Sequence, residues 1–304
     1  MREKDALSFV SIACIFVVTH MSALALALLL LISGMPREDA ENPLTPIIYI
    51  VLILVFSFLI LFIVKKKKDR WIKYIILGSM AYTMFFIFFL PFAYVFLYIG
   101  LDPNLGFIPA VALSLGLTYL LFVYPEWYVV DSVGIVVAAG VAAVLGLIFG
   151  ILPALILLIG LAVYDAISVY KTRHMITLAD AVTTQRLPVL LVIPKTRSYS
   201  FMKQKGIKEQ LDSGEEREAT FIGLGDIIIP GVLVVAALIA TWGLIVPLCT
   251  MLGILAGYAV LMTFVLKGNP QAGLPLLNSG AIIGYIISYV LVYGDLGLGI
   301  TWPW

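Results

Sequence analysis

The sequence predicts an all-α polytopic membrane protein with nine transmembrane helices, and three observations carry that prediction. Hydrophobic residues make up 62% of the 304-residue chain and the mean hydropathy is +1.10, which leaves too little polar surface to coat a soluble globule of this length. Apolar runs close to the length of about 20 residues that crosses a bilayer recur from one end of the chain to the other. The basic residues between those runs fall almost entirely in alternate loops.

The first run, 7–33, spans 27 residues, longer than a signal-peptide core, and lacks a small-residue cleavage site after a short apolar segment; it reads as a retained first span. Runs at 46–64, 71–99 and 105–123 follow. The next two, 133–150 and 152–170, are separated only by the Gly150–Pro153 break. Small residues at Gly134, Ala138, Ala142 and Gly146 mark the first of this pair for close helix packing. After a polar stretch come 221–240, 243–266 and 275–294. If the N-terminus and the even-numbered loops share one side, only Arg37 of the 19 basic residues lies opposite. Fusing 133–170 into one span would put Lys65–Lys73 and Lys171–Arg217 on opposite faces, so charge supports nine. The expected placement is integral to the cell membrane, with a cytoplasmic N-terminus and the C-terminus outside.

Three parts follow: 1–170 with six spans, a cytoplasmic loop at 171–220, and 221–304 with three spans. The loop is too short and polar to bury a core of its own and reads as mobile, except for Leu187–Pro194, a proline-bounded apolar island suited to a strand or a surface-lying segment. Cys14 and Cys249 sit in apolar runs, belong to no metal or redox motif, and read as packing residues. Lys65–Lys68 reads as a topology anchor for anionic headgroups, and nucleic-acid binding is not expected.

Two aspartates interrupt the apolar runs. Asp165 occurs as Tyr164-Asp165, six residues before Lys171, and Asp226 closes Gly223-Leu224-Gly225-Asp226. An ionisable group inside a bilayer is costly, and its default reading is functional. Both acids lie at a similar shallow depth on the cytoplasmic side, Asp165 about 9 Å from its helix end at 1.5 Å per residue. Facing carboxyls a few ångströms apart do not both ionise easily and share a proton, so one can act as general base to water and the other as general acid to a carbonyl. Gly223 and Gly225 would let backbone or substrate approach Asp226 closely. The same acids could instead be hydrogen-bonded in a bundle interior or line the water cavity of a transporter or ion-leak channel. Asp131, Asp180 and Glu126 stand near span ends and read as ordinary interfacial residues, Glu126 as a surface anchor among aromatics.

Tyr164-Asp165 in one helix, Gly223-Leu224-Gly225-Asp226 in the next after a long polar loop, and an apolar turn before the last helix resemble the GxGD intramembrane aspartyl proteases, presenilin and signal peptide peptidase. The likeness covers nearly the whole chain and fits nine helices with the N-terminus inside. It implies peptide hydrolysis within transmembrane or signal-peptide helices, with Asp165 and Asp226 catalytic. It also implies that Tyr164, Gly223, Leu224 and Gly225 help to position substrate. The family's third motif is Pro-Ala-Leu just before the final helix. Here Ala272-Gly273-Leu274 stands in its place, followed by Pro275, and these four are the remaining expected positioning residues. A literal Pro153-Ala154-Leu155 opens an earlier span and is a decoy.

Other protease chemistries lack their residues. Zinc intramembrane enzymes need His-Glu-x-x-His, whereas His20 and His174 are the only histidines and are far apart. A rhomboid-type site needs Gly-x-Ser-Gly with a later histidine, and Ser279-Gly280 has neither the leading glycine nor the histidine. A prepilin-peptidase-like enzyme shares Gly-x-Gly-Asp, but the Leu274–Asn278 turn and the Tyr-Asp pair favour presenilin. The implied chemistry uses no metal and no cofactor beyond water. The expected partners are a transmembrane peptide or protein substrate, the lipid bilayer and, as one open assembly, a homo-oligomer.

Overall fold

Eight helices long and apolar enough to cross a membrane run through the described residues of the computed structural model, which are 3–32, 44, 46–52, 55, 69–172, 189–196, 199–203, 219–265 and 271–298. They are α1 (Glu3–Ile32), α2 (Asp69–Tyr98), α3 (Phe107–Val123), α4 (Trp127–Ile148), α5 (Ile151–Ile167), α6 (Leu224–Thr241), α7 (Ile245–Val265) and α8 (Gly273–Tyr293). Of the expected span at 46–64, residues 46–52 and Val55 are helical and the others lie outside the described residues, as does most of the 171–220 loop.

Helix ends follow local chemistry. Between α2 and α3 the chain turns at Gly100 (φ +77), and the Asp102 side chain accepts the Asn104 amide at 2.9 Å to cap a short 3-10 turn opened by Pro103. Extended backbone at Phe149 and Gly150 ends α4 and caps α5, whose Pro153 falls in the first turn, where a missing N–H costs no helix bond. The two spans at 133–170 are therefore separate. α4 begins earlier than expected, at Trp127, because Glu126 takes an extended cap conformation and its carbonyl accepts the Val129 and Val130 amides.

α6 is the central helix. Its residues from Ile229 to Ile239 are all buried, as expected of a helix that is apolar all round. It packs against α1, α4, α5, α7 and α8. The small-residue stripe of α4 makes that packing possible: a Cβ on Gly146 would strike Val235 and the Val232 carbonyl, and one on Gly134 would strike Leu191 and Leu224. α7 and α8 approach still more closely. Gly253 and Gly257 face Gly280 and Gly284, and an added Cβ on any of the four would overlap the opposite backbone. Glycines four apart on both helices allow backbone contact where lipid supplies no hydrophobic drive to association. α2 and α3 pair at the periphery and expose large apolar side chains such as Tyr82, Leu115 and Tyr119. Cys14 is exposed on α1, not packed as expected.

The all-α expectation needs one correction. Leu190–Pro194 (β1) and Ala219–Gly223 (β2) form an antiparallel pair in which Leu190 faces Gly223 and Val192 faces Phe221. The apolar island before Pro194 is therefore a strand, and what reads as the first turns of the 221–240 span is a strand as far as Gly223. Pairing with β1 satisfies backbone groups that helix would otherwise have to satisfy.

Candidate active site

Asp165 sits in the last turn of α5, just before the chain widens into a π-helical turn at Ser168–Thr172. Its side chain is directed inward and only 7% of the residue is exposed. Asp226 is the third residue of α6. Gly223 ends β2 and caps α6 in an extended conformation (φ −68, ψ 137), and its amide faces the Asp226 carboxyl. A carboxylate at this helix position reaching back to the cap amide satisfies one of the free N–H groups of the first turn. A Cβ at Gly223 would lie 3.3 Å from Asp226 Oδ2, so the cap leaves little spare room beside the acid.

The two acids come from different helices and meet at the start of a third. Leu274 donates its amide to Asp165 Oδ2 at 3.1 Å, and the Gly273 amide faces the same carboxyl. From the other side, a Cβ on Gly273 would stand 3.3 Å from Asp226 Cγ and Oδ2 and 3.4 Å from Oδ1. Asp165 and Asp226 are close enough to act on one another electrostatically. α8 thus starts at Gly273, two residues earlier than the sequence suggests, and the Leu274 amide of its first turn, which has no partner within the helix, is satisfied by Asp165.

Ala272, buried at 1% exposure, caps α8 at φ −71 and ψ 123. A proline ring would impose much the same φ, so the backbone at this position is one that proline could also adopt. Pro275 occupies the first turn of α8. Together with Asn278, Ser279, Leu158, Ala162 and Ala166 it lines an open, apolar cavity of about 260 Å³ between α5 and α8. Leu224 is buried, and its amide donates to Val189 O at 3.1 Å, tying the start of α6 to the hairpin. Gly225 is exposed, and a Cβ there would meet nothing within 4 Å. Tyr164, beside Asp165 on α5, is 38% exposed. The structure therefore brings Asp165, Asp226, Gly223, Gly273 and Leu274 together.

Two acids that read as interfacial anchors hold the hairpin instead. Asp131 on α4 accepts the Val192 amide at 2.7 Å, and Glu126 accepts Ser200 Oγ at 2.6 Å and the Phe201 amide at 3.0 Å. Both are buried, at 8% and 7% exposure. Val192 faces Phe221 across the sheet, so Asp131 pins the hairpin that leads directly into Gly223 and Asp226. Their partners lie 61 to 75 residues away in sequence, and no local pattern announces the contact.

The sequence model of the family described as "Signal-peptide peptidase, presenilin aspartyl protease" matches residues 13–293. Among solved structures, the chain is similar to a presenilin family intramembrane aspartate protease in two crystal forms. The C222 form shares 32% identity over 93% of this chain and 99% of that one, with a TM-score of 0.67. The P2 form shares 31% identity over 93% and 97%, with a TM-score of 0.65. No curated protein matches. A family match across most of the length, and identities above 30% with nearly complete coverage of both chains, agree with the acid pair at the start of α8: the chain belongs to the signal-peptide peptidase and presenilin family of intramembrane aspartyl proteases.

Proposed function

We propose that Asp165 and Asp226 are the catalytic pair of this protease. The observation that carries the reading is their convergence from α5 and α6 on the start of α8, where Asp165 takes the Leu274 amide and Asp226 lies against Gly273, in a chain with no other such pairing among its described membrane-embedded acids. One carboxylate takes a proton from water while the other, protonated, donates to the scissile carbonyl oxygen; the hydroxyl adds to the carbonyl carbon and a gem-diol forms. Proton return to the leaving nitrogen then breaks the C–N bond and yields a carboxylic acid and an amine. The pair acts as one titrating unit, and neither role is tied to one residue. Leu274 donates to Asp165 and orients it. Gly223, Leu224, Gly273, Ala272 and Pro275 shape the approach to the acids, and open space at Gly225 leaves room for an extended substrate strand.

The substrates are single-span or signal-peptide-like helices that enter from the bilayer. The ninth span is 46–64, supported by its helical residues 46–52 and by the charge distribution, which puts the N-terminus in the cytoplasm of a cell-membrane protein and the C-terminus outside. In this reading 1–170 and 221–304 are the two membrane parts, 171–220 is a cytoplasmic loop, and self-association into a homo-oligomer is compatible with the exposed outer helices.

The test is cleavage of a model single-span substrate by purified protein in detergent, with fragments identified by mass spectrometry. Asp165→Asn and Asp226→Asn should each reduce cleavage by about 10⁴-fold or more, since loss of one member of a unit removes the function of both, while the proteins remain folded. Retained cleavage in either variant sinks the assignment.

A further inference from the structure

Histidine 20 lies in the middle of α1, fully buried, and Phe16, Thr19 and Ala23 on the same helix are buried with it. Its Nε2 stands 3.1 Å from the carbonyl oxygen of Ile227, the residue after Asp226 and 207 positions away in sequence. A carbonyl only accepts, so Nε2 carries the proton. Nδ1 has no partner among the described residues, and neither does Thr19 Oγ1. A buried imidazole that leaves one nitrogen unsatisfied and spends the other on a single long-range bond is costly as packing alone.

The place it contacts is weak by construction. Pro230 lies one turn after Asp226 and has no N–H, so the Asp226 carbonyl lacks its helical partner. The first turn of α6, which carries Asp226, is therefore joined to the remaining helix by fewer bonds than an ordinary turn. The imidazole fills the notch left by Gly231, where a Cβ would come within 2.9 Å of His20 Cδ2 and 3.0 Å of Nε2. Helix α1 thus reaches into the turn that Pro230 has loosened.

We infer that His20 is a positioning residue for Asp226: its Nε2–H bond to the Ile227 carbonyl holds the first turn of α6 so that the Asp226 carboxyl stays opposite Asp165 at the start of α8. The inference rests on the assignment of Asp226 as catalytic.

The test compares single-span substrate cleavage by full-length wild type, His20→Leu, His20→Gln, Gly231→Ala and, as control, Asp226→Asn. His20→Leu removes the donor, and Gly231→Ala displaces the ring without altering the histidine. Both should lower kcat by about 10²-fold, the cost of misplacing a reacting group by about 1 Å, with KM within about twofold of wild type because substrate contacts are untouched. His20→Gln restores an N–H of similar reach and should recover most of the rate. Wild-type kcat in Gly231→Ala, or in a folded His20→Leu, overturns the inference, as does a folded His20→Gln as impaired as His20→Leu. If His20→Leu fails to fold, Gly231→Ala and His20→Gln decide by the same readings. Activity of Asp226→Asn would instead refute the dyad, so the two failures are separable.

Discussion

Replacing Asp131 tests whether the buried acids of α4 set the geometry of a site they do not touch. Asp131 accepts the Val192 amide at 2.7 Å and is 8% exposed. In Asp131→Ala the Val192 N–H remains buried without an acceptor, a penalty of about 1–3 kcal/mol. At about 1.4 kcal/mol per tenfold, that raises the opening population of β1 by about 5- to 150-fold. Asp131→Asn keeps a carbonyl oxygen in the same place and should retain most of the protection. Hydrogen exchange read by mass spectrometry on peptides covering 189–196, in detergent, measures the difference directly. The consequence travels along a short path. Val189 accepts the Leu224 amide at 3.1 Å, and Leu224 is two residues from Asp226, so the alanine variant should also cleave at least about tenfold more slowly. Unchanged exchange in Asp131→Ala, or equal deprotection in the asparagine variant, would refute the clamp.

Gly225→Ala adds a Cβ that meets nothing within 4 Å of this chain and removes a glycine from a helical turn, so thermal stability should hold or rise by up to about 1 kcal/mol while KM increases; a stability loss in a thermal melt would contradict the open space. Gly280→Val drives a branched side chain into the backbone of α7 at Gly253, and a cost of about 1–3 kcal/mol or more should appear as a lower melting transition; an unchanged transition would mean α7 and α8 are not in backbone contact. Gly273→Ala places a methyl 3.3 Å from Asp226 Cγ, so kcat should fall more than KM rises in steady-state cleavage, with Gly273→Val worse; equal rates in both would show that the carboxyl has room to move.

Hydropathy and charge alternation in the sequence place this chain in a membrane, because a bilayer imposes span length and charge bias on each segment independently of its neighbours. The boundaries at Gly150–Pro153 and the glycine and alanine stripe of α4 were legible for the same reason: backbone breaks and small side chains act locally. The two acids were legible as anomalies, since a carboxyl in an apolar run is costly wherever the chain folds. The strand pair was half legible, as an apolar island before Pro194 without its partner. Only the tertiary structure decides that Asp165 and Asp226 meet at Gly273, that α8 begins two residues early to offer the Leu274 amide to Asp165, that Asp131 and Glu126 face inward, and that His20 reaches Ile227. Each of those contacts joins residues far apart in the chain. The energy of a hydrogen bond depends on where both partners finally stand, and a local stretch of sequence carries information about only one of them.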